Sequence, residues 1–250
     1  MEYIKAGVIG FCVLMVSVIF IQSAYALNIN TQYFNITFDE QHGGVVTSLQ
    51  YKGVEFLTGD GNGVWGTIGL RRSTWNGTGD VCTRWATDMY YQYDQNHKIT
   101  VKNKTNRYII TIEPNGTSQI LGNNKKIVWY IPKNSTMIKV KYSPGYKNEY
   151  LYMPFIRNYD MGIGILTYFT TLGQIITATP TNYCKSNWYR SSLADYKLYK
   201  GTQTVGTMIF VHDLPFSYYS AYYGADLNTW QMHYPFYDRK SKEISMIFYG

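Results

Sequence analysis

No metal-binding spacing occurs anywhere in this chain. Its three cysteines and four histidines form no CxxC, HxH or HExxH pattern, so the common zinc signatures are excluded, and neither a metal nor a cofactor is expected. Acids are scarce, 16 against 23 bases, for a net charge of +7. The bases are scattered, with pairs such as Lys125 and Lys126 but no run long enough to track phosphates, which argues against nucleic acid. An acidic polysaccharide outside the cell answers to the same electrostatics. Charged residues of both signs reach only 16% while hydrophobics reach 45%, which excludes a disordered chain. After residue 27 no window of a dozen residues sustains a helical i, i+3, i+4 pattern.

The N-terminus is a different kind of sequence. Residues 1–5 are polar with one lysine, residues 6–21 are apolar apart from Ser17, and Ala24, Tyr25 and Ala26 close the segment as a small-x-small triplet. This is the layout of a secretory signal, residues 1–26, cleaved after Ala26. The alternative is a membrane anchor of residues 6–21 with the rest facing outside, but that run of 16 is short of the roughly 20 residues needed to span a bilayer. The membrane is then met only transiently, and residues 27–250 form one secreted domain. Cleavage removes Cys12 and leaves Cys82 and Cys184, which an oxidising exterior permits to pair, with two free thiols as the alternative. Five Asn-x-Thr sequons, at Asn35, Asn76, Asn103, Asn115 and Asn134, suit a secreted glycoprotein.

Strand signals fill the remainder. Short β-branched and aromatic runs fall at 33–38, 45–49, 54–57, 107–113, 126–131, 137–142, 150–156, 163–171, 174–178, 204–212 and 243–249. Gly, Asn and Pro punctuate them every 8 to 12 residues. The fold class expected is all-β, a single antiparallel sandwich or supersandwich. Residues 58–95, with seven glycines between Trp65, Trp75 and Trp85, read as one long irregular loop, and 213–238 reads as irregular too.

Residues 33–57 read YFNITFDEQHGGVVTSLQYKGVEFL. An extended strand precedes a turn at Gly43 and Gly44; Val46, Ser48 and Leu49 form a V-x-S-L strand; Lys52 and Gly53 turn into Glu55, Phe56 and Leu57. This resembles the opening hairpins of the galactose-mutarotase-like supersandwich domains, and residues 105–142 are similar to their later antiparallel strands. The resemblance implies a protein that handles carbohydrate: a sugar epimerase, a polysaccharide lyase or a sugar-binding part of a glycoside hydrolase. The Asn-His-x-x-Phe-Asn motif of the epimerases has no counterpart here. A lyase needs a Tyr, His or Lys base and a cation to neutralise the uronate.

For that chemistry the candidate catalytic residues are His212, at the end of an apolar strand, with Arg71 and Arg157 to hold a carboxylate bidentately. Aromatics make up 17% of the chain, with 26 tyrosines. Their faces stack on the C–H faces of sugars while hydroxyl or indole N–H groups keep polar contacts. The candidate sugar-binding residues are Trp65, Trp75, Trp188, Tyr189, Tyr222 and Trp230. The glycine-rich stretch and the aromatic stretch around 218–237 are expected on one side of the sandwich. Two functions stand at this point: a secreted carbohydrate-active protein, with lyase-type elimination on an acidic polysaccharide as its concrete form, and a non-catalytic extracellular binding module. N-terminal sequencing of exported protein should begin at Leu27; material that still carries residues 1–26 would establish the anchor instead.

Overall fold

A computed structural model describes residues 26–57, 67–72, 89–90, 96–116, 126–143, 149–156, 158–159, 162–170, 173–178, 185–189, 191–212, 219–223, 229–235 and 241–250. Residues 1–25, which carry the signal reading, and Cys82 and Cys184 lie outside them. Among the described residues there are strands and turns and no helix.

Three antiparallel sheets share one core. The first, four-stranded, runs β1 (Ala26–Asn30), β2 (Phe34–Asp39), β3 (Val46–Tyr51), β4 (Val54–Glu55) in chain order. Next come β5 (Gly69–Arg72), β6 (Met89–Tyr90), β7 (His97–Asn103), β8 (Arg107–Pro114), β9 (Lys126–Pro132), β10 (Met137–Ser143), β11 (Glu149–Ile156), β12 (Asn158–Tyr159), β13 (Gly162–Thr170) and β14 (Ile175–Ala178). The last are β15 (Lys185–Tyr189), β16 (Ser191–Lys200), β17 (Gln203–Val211), β18 (Tyr219–Tyr223), β19 (Thr229–Pro235) and β20 (Lys242–Tyr249). A ten-stranded sheet has the order β12-β13-β16-β17-β20-β10-β9-β8-β7, with β14 added beside β13, and a six-stranded sheet has the order β15-β18-β19-β11-β5-β6.

Period-two patterning makes these strands. In β2, Phe34, Ile36 and Phe38 are buried and Asn35, Thr37 and Asp39 face outward; in β10, Ile138, Val140 and Tyr142 alternate with Met137, Lys139 and Lys141 in the same way. The β3–β4 hairpin closes through Lys52 (φ 50°) and Gly53 (φ 77°), a two-residue turn with both residues left-handed, which glycine permits without strain. Glu55 then accepts the backbone N–H groups of Leu49 (2.9 Å) and Leu57 (3.0 Å) and the Ser48 hydroxyl. Those bonds set the direction in which the chain delivers Phe56.

Phe56 is the meeting point of the sheets. Its ring lies 5.8 Å from Phe155 of the six-stranded sheet and 5.6 and 5.2 Å from Tyr196 and Phe248 of the ten-stranded one. Its carbonyl accepts the Ile156 N–H at 3.0 Å, and the Ile156 carbonyl accepts the buried Tyr196 hydroxyl at 2.5 Å. The chain passes from the six-stranded to the ten-stranded sheet between Ile156 and Asn158. Gly164 packs against this crossing so closely that a Cβ there would run into the Ile156 carbonyl.

Several strands depart from the sequence expectation. β5, β6, β18 and β19 fall in stretches read as irregular, because strands of two to seven residues flanked by glycine and proline show little period of their own. β7, at the edge of its sheet, turns Ile99 toward the core and carries Lys98, Thr100 and Lys102 on its other face, charges that suit an edge resisting further pairing.

Truncating Phe56→Ala should cost about 3–5 kcal/mol, as for other large core aromatics, measured by denaturant unfolding. A loss under ~1 kcal/mol would show that the sheets do not depend on this ring. Burial raises the Tyr196 phenol well above its ordinary range, and burial followed by the hydrogen bond donated to Asp195 raises Tyr249. Both stay protonated in the folded chain after unfolded tyrosines begin to ionise. Stability should therefore hold below pH ~10 and fall as pH rises beyond it, and Tyr196→Phe should flatten that fall.

Candidate functional site

Strand β11, Glu-Tyr-Leu-Tyr-Met-Pro-Phe-Ile, lies inside the six-stranded sheet between β19 and β5. Leu151, Met153 and Phe155 belong to the core cluster shared with the other sheets. Tyr152 and Pro154 are equally buried but do not belong to it. Successive strand residues point to opposite faces, so Tyr152 and Pro154 sit on the face turned away from the core. Val45, also buried outside the cluster, packs on the same face at Gly69, where a Cβ would lie 2.6 Å from its Cγ1. Glycine leaves room for it.

Residues paired directly across an antiparallel ladder share a face, so the register extends this one across the sheet. One row runs Gly69, Tyr152, His233, Ser220, Trp188. A second runs Pro154, Gln231, Tyr222, Ser186. On the other side of the first, a third runs Tyr90, Arg71, Tyr150, Pro235. Four inter-strand steps separate the ends of the longest row, about 19 Å at the usual strand spacing. By residue type these register positions hold aromatics, an arginine, a glutamine and a histidine, the types that suit sugar faces, carboxylates, hydroxyls and proton transfer.

The candidates named from sequence divide on this register. Arg71, Trp188 and Tyr222 fall in the outward rows. Trp230 pairs with Phe155, and Tyr189 follows Trp188 by one, so both fall in rows on the core side. His212 is elsewhere: exposed at the end of β17 in the ten-stranded sheet, it shares a hydrogen bond with Ser245 (Nε2 to Oγ, 2.7 Å) and donates its backbone N–H to Glu243. It therefore belongs to a different sheet from Arg71. Arg157, Trp65, Trp75 and Asn76 lie outside the described residues. Asn35, Asn103, Asn115 and Asn134 are exposed, as a sequon must be. β5 comes from the glycine-rich stretch and β18 and β19 from the aromatic one, and they lie in one sheet.

Sequence reasoning named neither His233 nor Gln231, which the register adds to these rows. The signal that could have found them is alternation: Thr-Trp-Gln-Met-His-Tyr-Pro places Gln231 and His233 on one face and Trp230, Met232 and Tyr234 on the other.

No family model matches the sequence, and no curated protein matches it. Solved structures do match. A galactose mutarotase-like protein of Lactobacillus casei aligns with a TM-score of 0.54 at 8% identity, over 90% of this chain and 100% of that one. A protein of Synechocystis aligns with a TM-score of 0.59 at 9% identity, over 91% and 96%. The α-N-acetylgalactosaminidase of Bifidobacterium bifidum, in its GalNAc complex, aligns with a TM-score of 0.62 at 8% identity, over 89% of this chain and 36% of that one. The fold is thus the galactose-mutarotase-like supersandwich that residues 33–57 pointed to. At such identities the likeness fixes the backbone arrangement and leaves the chemistry to this chain's own residues.

Proposed function

We propose that this is a carbohydrate-interacting protein that lays a glycan across the outward face of its six-stranded sheet. The observation that carries the reading is the set of adjacent register rows holding Arg71, Tyr150, His233, Gln231, Tyr222 and Trp188. It is supported by a fold shared with proteins described as a galactose mutarotase-like protein and as an N-acetylgalactosaminidase. The N-terminal segment is read as an export signal, so the glycan is met outside the cytoplasm.

The net charge of +7 and Arg71 favour an acidic polysaccharide, whose carboxylate a guanidine holds bidentately. Lyase-type elimination is the catalytic form of this reading. A base removes the proton beside the carboxylate, a cation steadies the developing charge, and the leaving sugar oxygen departs as a double bond forms. His233, directly opposite the buried Tyr152 across β11 and β19, is the residue from which that base is drawn.

A glycan array run beside an assay for the unsaturated product's ultraviolet absorbance tests both levels. Binding to an acidic glycan should weaken about tenfold in Trp188→Ala and in Arg71→Ala, the loss expected of one stacked ring or one charged contact. Absorbance should appear with wild-type protein and vanish in His233→Ala, while His212→Ala should keep it. Binding without absorbance would leave a non-catalytic binding module. No binding to any neutral or acidic glycan would overturn the carbohydrate reading.

A further inference from the structure

The charge of the chain is unevenly placed. Residues 96–116 and 126–143, which form β7 to β10 and their turns, carry Lys98, Lys102, Lys104, Arg107, Lys126, Lys133, Lys139 and Lys141 against the single acid Glu113. Register puts Lys98, Lys102, Arg107, Lys126, Lys139 and Lys141 on the face of the ten-stranded sheet turned away from the core. The acids on that face meet only some of them: Glu113 stands opposite Lys98, and Glu243 binds Lys139 at 3.0 Å. The surplus gathers at the end where two hairpins turn, and the Lys133 N–H donates to the Asn106 carbonyl at 3.0 Å to tie the turns together.

A cleft of about 260 Å³ opens there, lined by Arg107, Lys139, Tyr130, Asn106, Asn134 and Ser135 among others. Arg107 has no carboxylate partner among the described residues; its guanidinium is held instead over the Tyr130 ring, 5.6 Å from the centroid. A cation–π contact fixes the plane of the group while leaving its N–H fork free to bind an anion. Lys133 is held in the same manner over Tyr108, at 5.0 Å. Two amides and a hydroxyl beside the fork suit hydroxyl groups. The volume falls below the ~300–1,000 Å³ of sites that engulf a drug-sized ligand, so it takes one ring of a longer chain.

We propose that this cleft is a second glycan site, separate from the six-stranded sheet, which binds one anionic sugar residue through Arg107 with the carboxylate or sulfate ester against the guanidinium. That the ligand is an anion follows from the cleft itself. That the anion is a saccharide rests on the carbohydrate reading above.

The test uses unglycosylated protein, since Asn134 heads a sequon in the cleft wall. A tetragalacturonate, its carboxyl-reduced neutral counterpart, a sulfated tetrasaccharide and a DNA oligonucleotide are titrated by calorimetry against wild type and R107Q. The exposed Arg107 position should leave the melting temperature unchanged. Tetragalacturonate affinity, sulfated tetrasaccharide affinity or both should fall about tenfold in R107Q, which also tells the carboxylate from the sulfate source, and the neutral oligosaccharide should be unaffected. R107K, which keeps the charge and loses the fork, should fall between and covers the case in which R107Q folds poorly. Unchanged affinity for both anionic saccharides in R107Q would overturn the second site without touching the first, because Trp188→Ala reports the first independently. DNA bound as tightly as the saccharides, with the same dependence on Arg107, would overturn the saccharide assignment.

Discussion

The contact between Phe56, Ile156 and Tyr196 is the constraint on which the rest of the architecture depends. Phe56 ends the four-stranded sheet, Ile156 ends the last strand of the six-stranded sheet before the crossover, and Tyr196 lies in the middle of the ten-stranded one. Two hydrogen bonds and a set of tilted and edge-on ring contacts fasten the three together inside a fully buried cluster. Because the crossing is tight, one neighbour must be glycine, and Gly164 fills that requirement. The consequence for function is direct. With Phe155 anchored inward, period two leaves Tyr152 and Pro154 on the opposite face, and every row of the six-stranded sheet takes its phase from them.

Fold class and opening topology were legible because they are local. Alternation in residues 34–39 and 137–143 and the Lys52–Gly53 turn are properties of short windows. The candidate rows were legible only in part. Arg71, Trp188 and Tyr222 were named for their residue type, and type is what a sequence prints. Whether Trp188 or Tyr189 falls in an outward row depends on one residue of register in β15, which is set by pairing with β18 and not by β15 itself. His233 was passed over because Pro235 and the surrounding Asn and Gly residues mask a seven-residue strand. His212 was favoured because it ends a long apolar strand, and nothing in that strand says to which sheet it belongs.

Two outward faces of one sandwich therefore carry different chemistry. The register rows of the six-stranded sheet hold, by residue type, aromatics and a glutamine with one histidine and one arginine among the described residues. The face of β7 to β10 is a lysine-rich lattice with a small cleft at its end. Neither includes the ring contacts that hold the sheets together. This separation explains how a backbone shared with an N-acetylgalactosaminidase domain and a mutarotase-like protein at 8% identity can present surfaces of its own.

The central claim is that the outward face of the six-stranded sheet holds sugar. A crystal structure of the protein soaked with an acidic oligosaccharide measures this most directly. Pyranose rings should lie across the row of His233, Ser220 and Trp188, with a carboxylate at Arg71. Oligosaccharide bound elsewhere on the molecule at saturation, with that face bare, would contradict it.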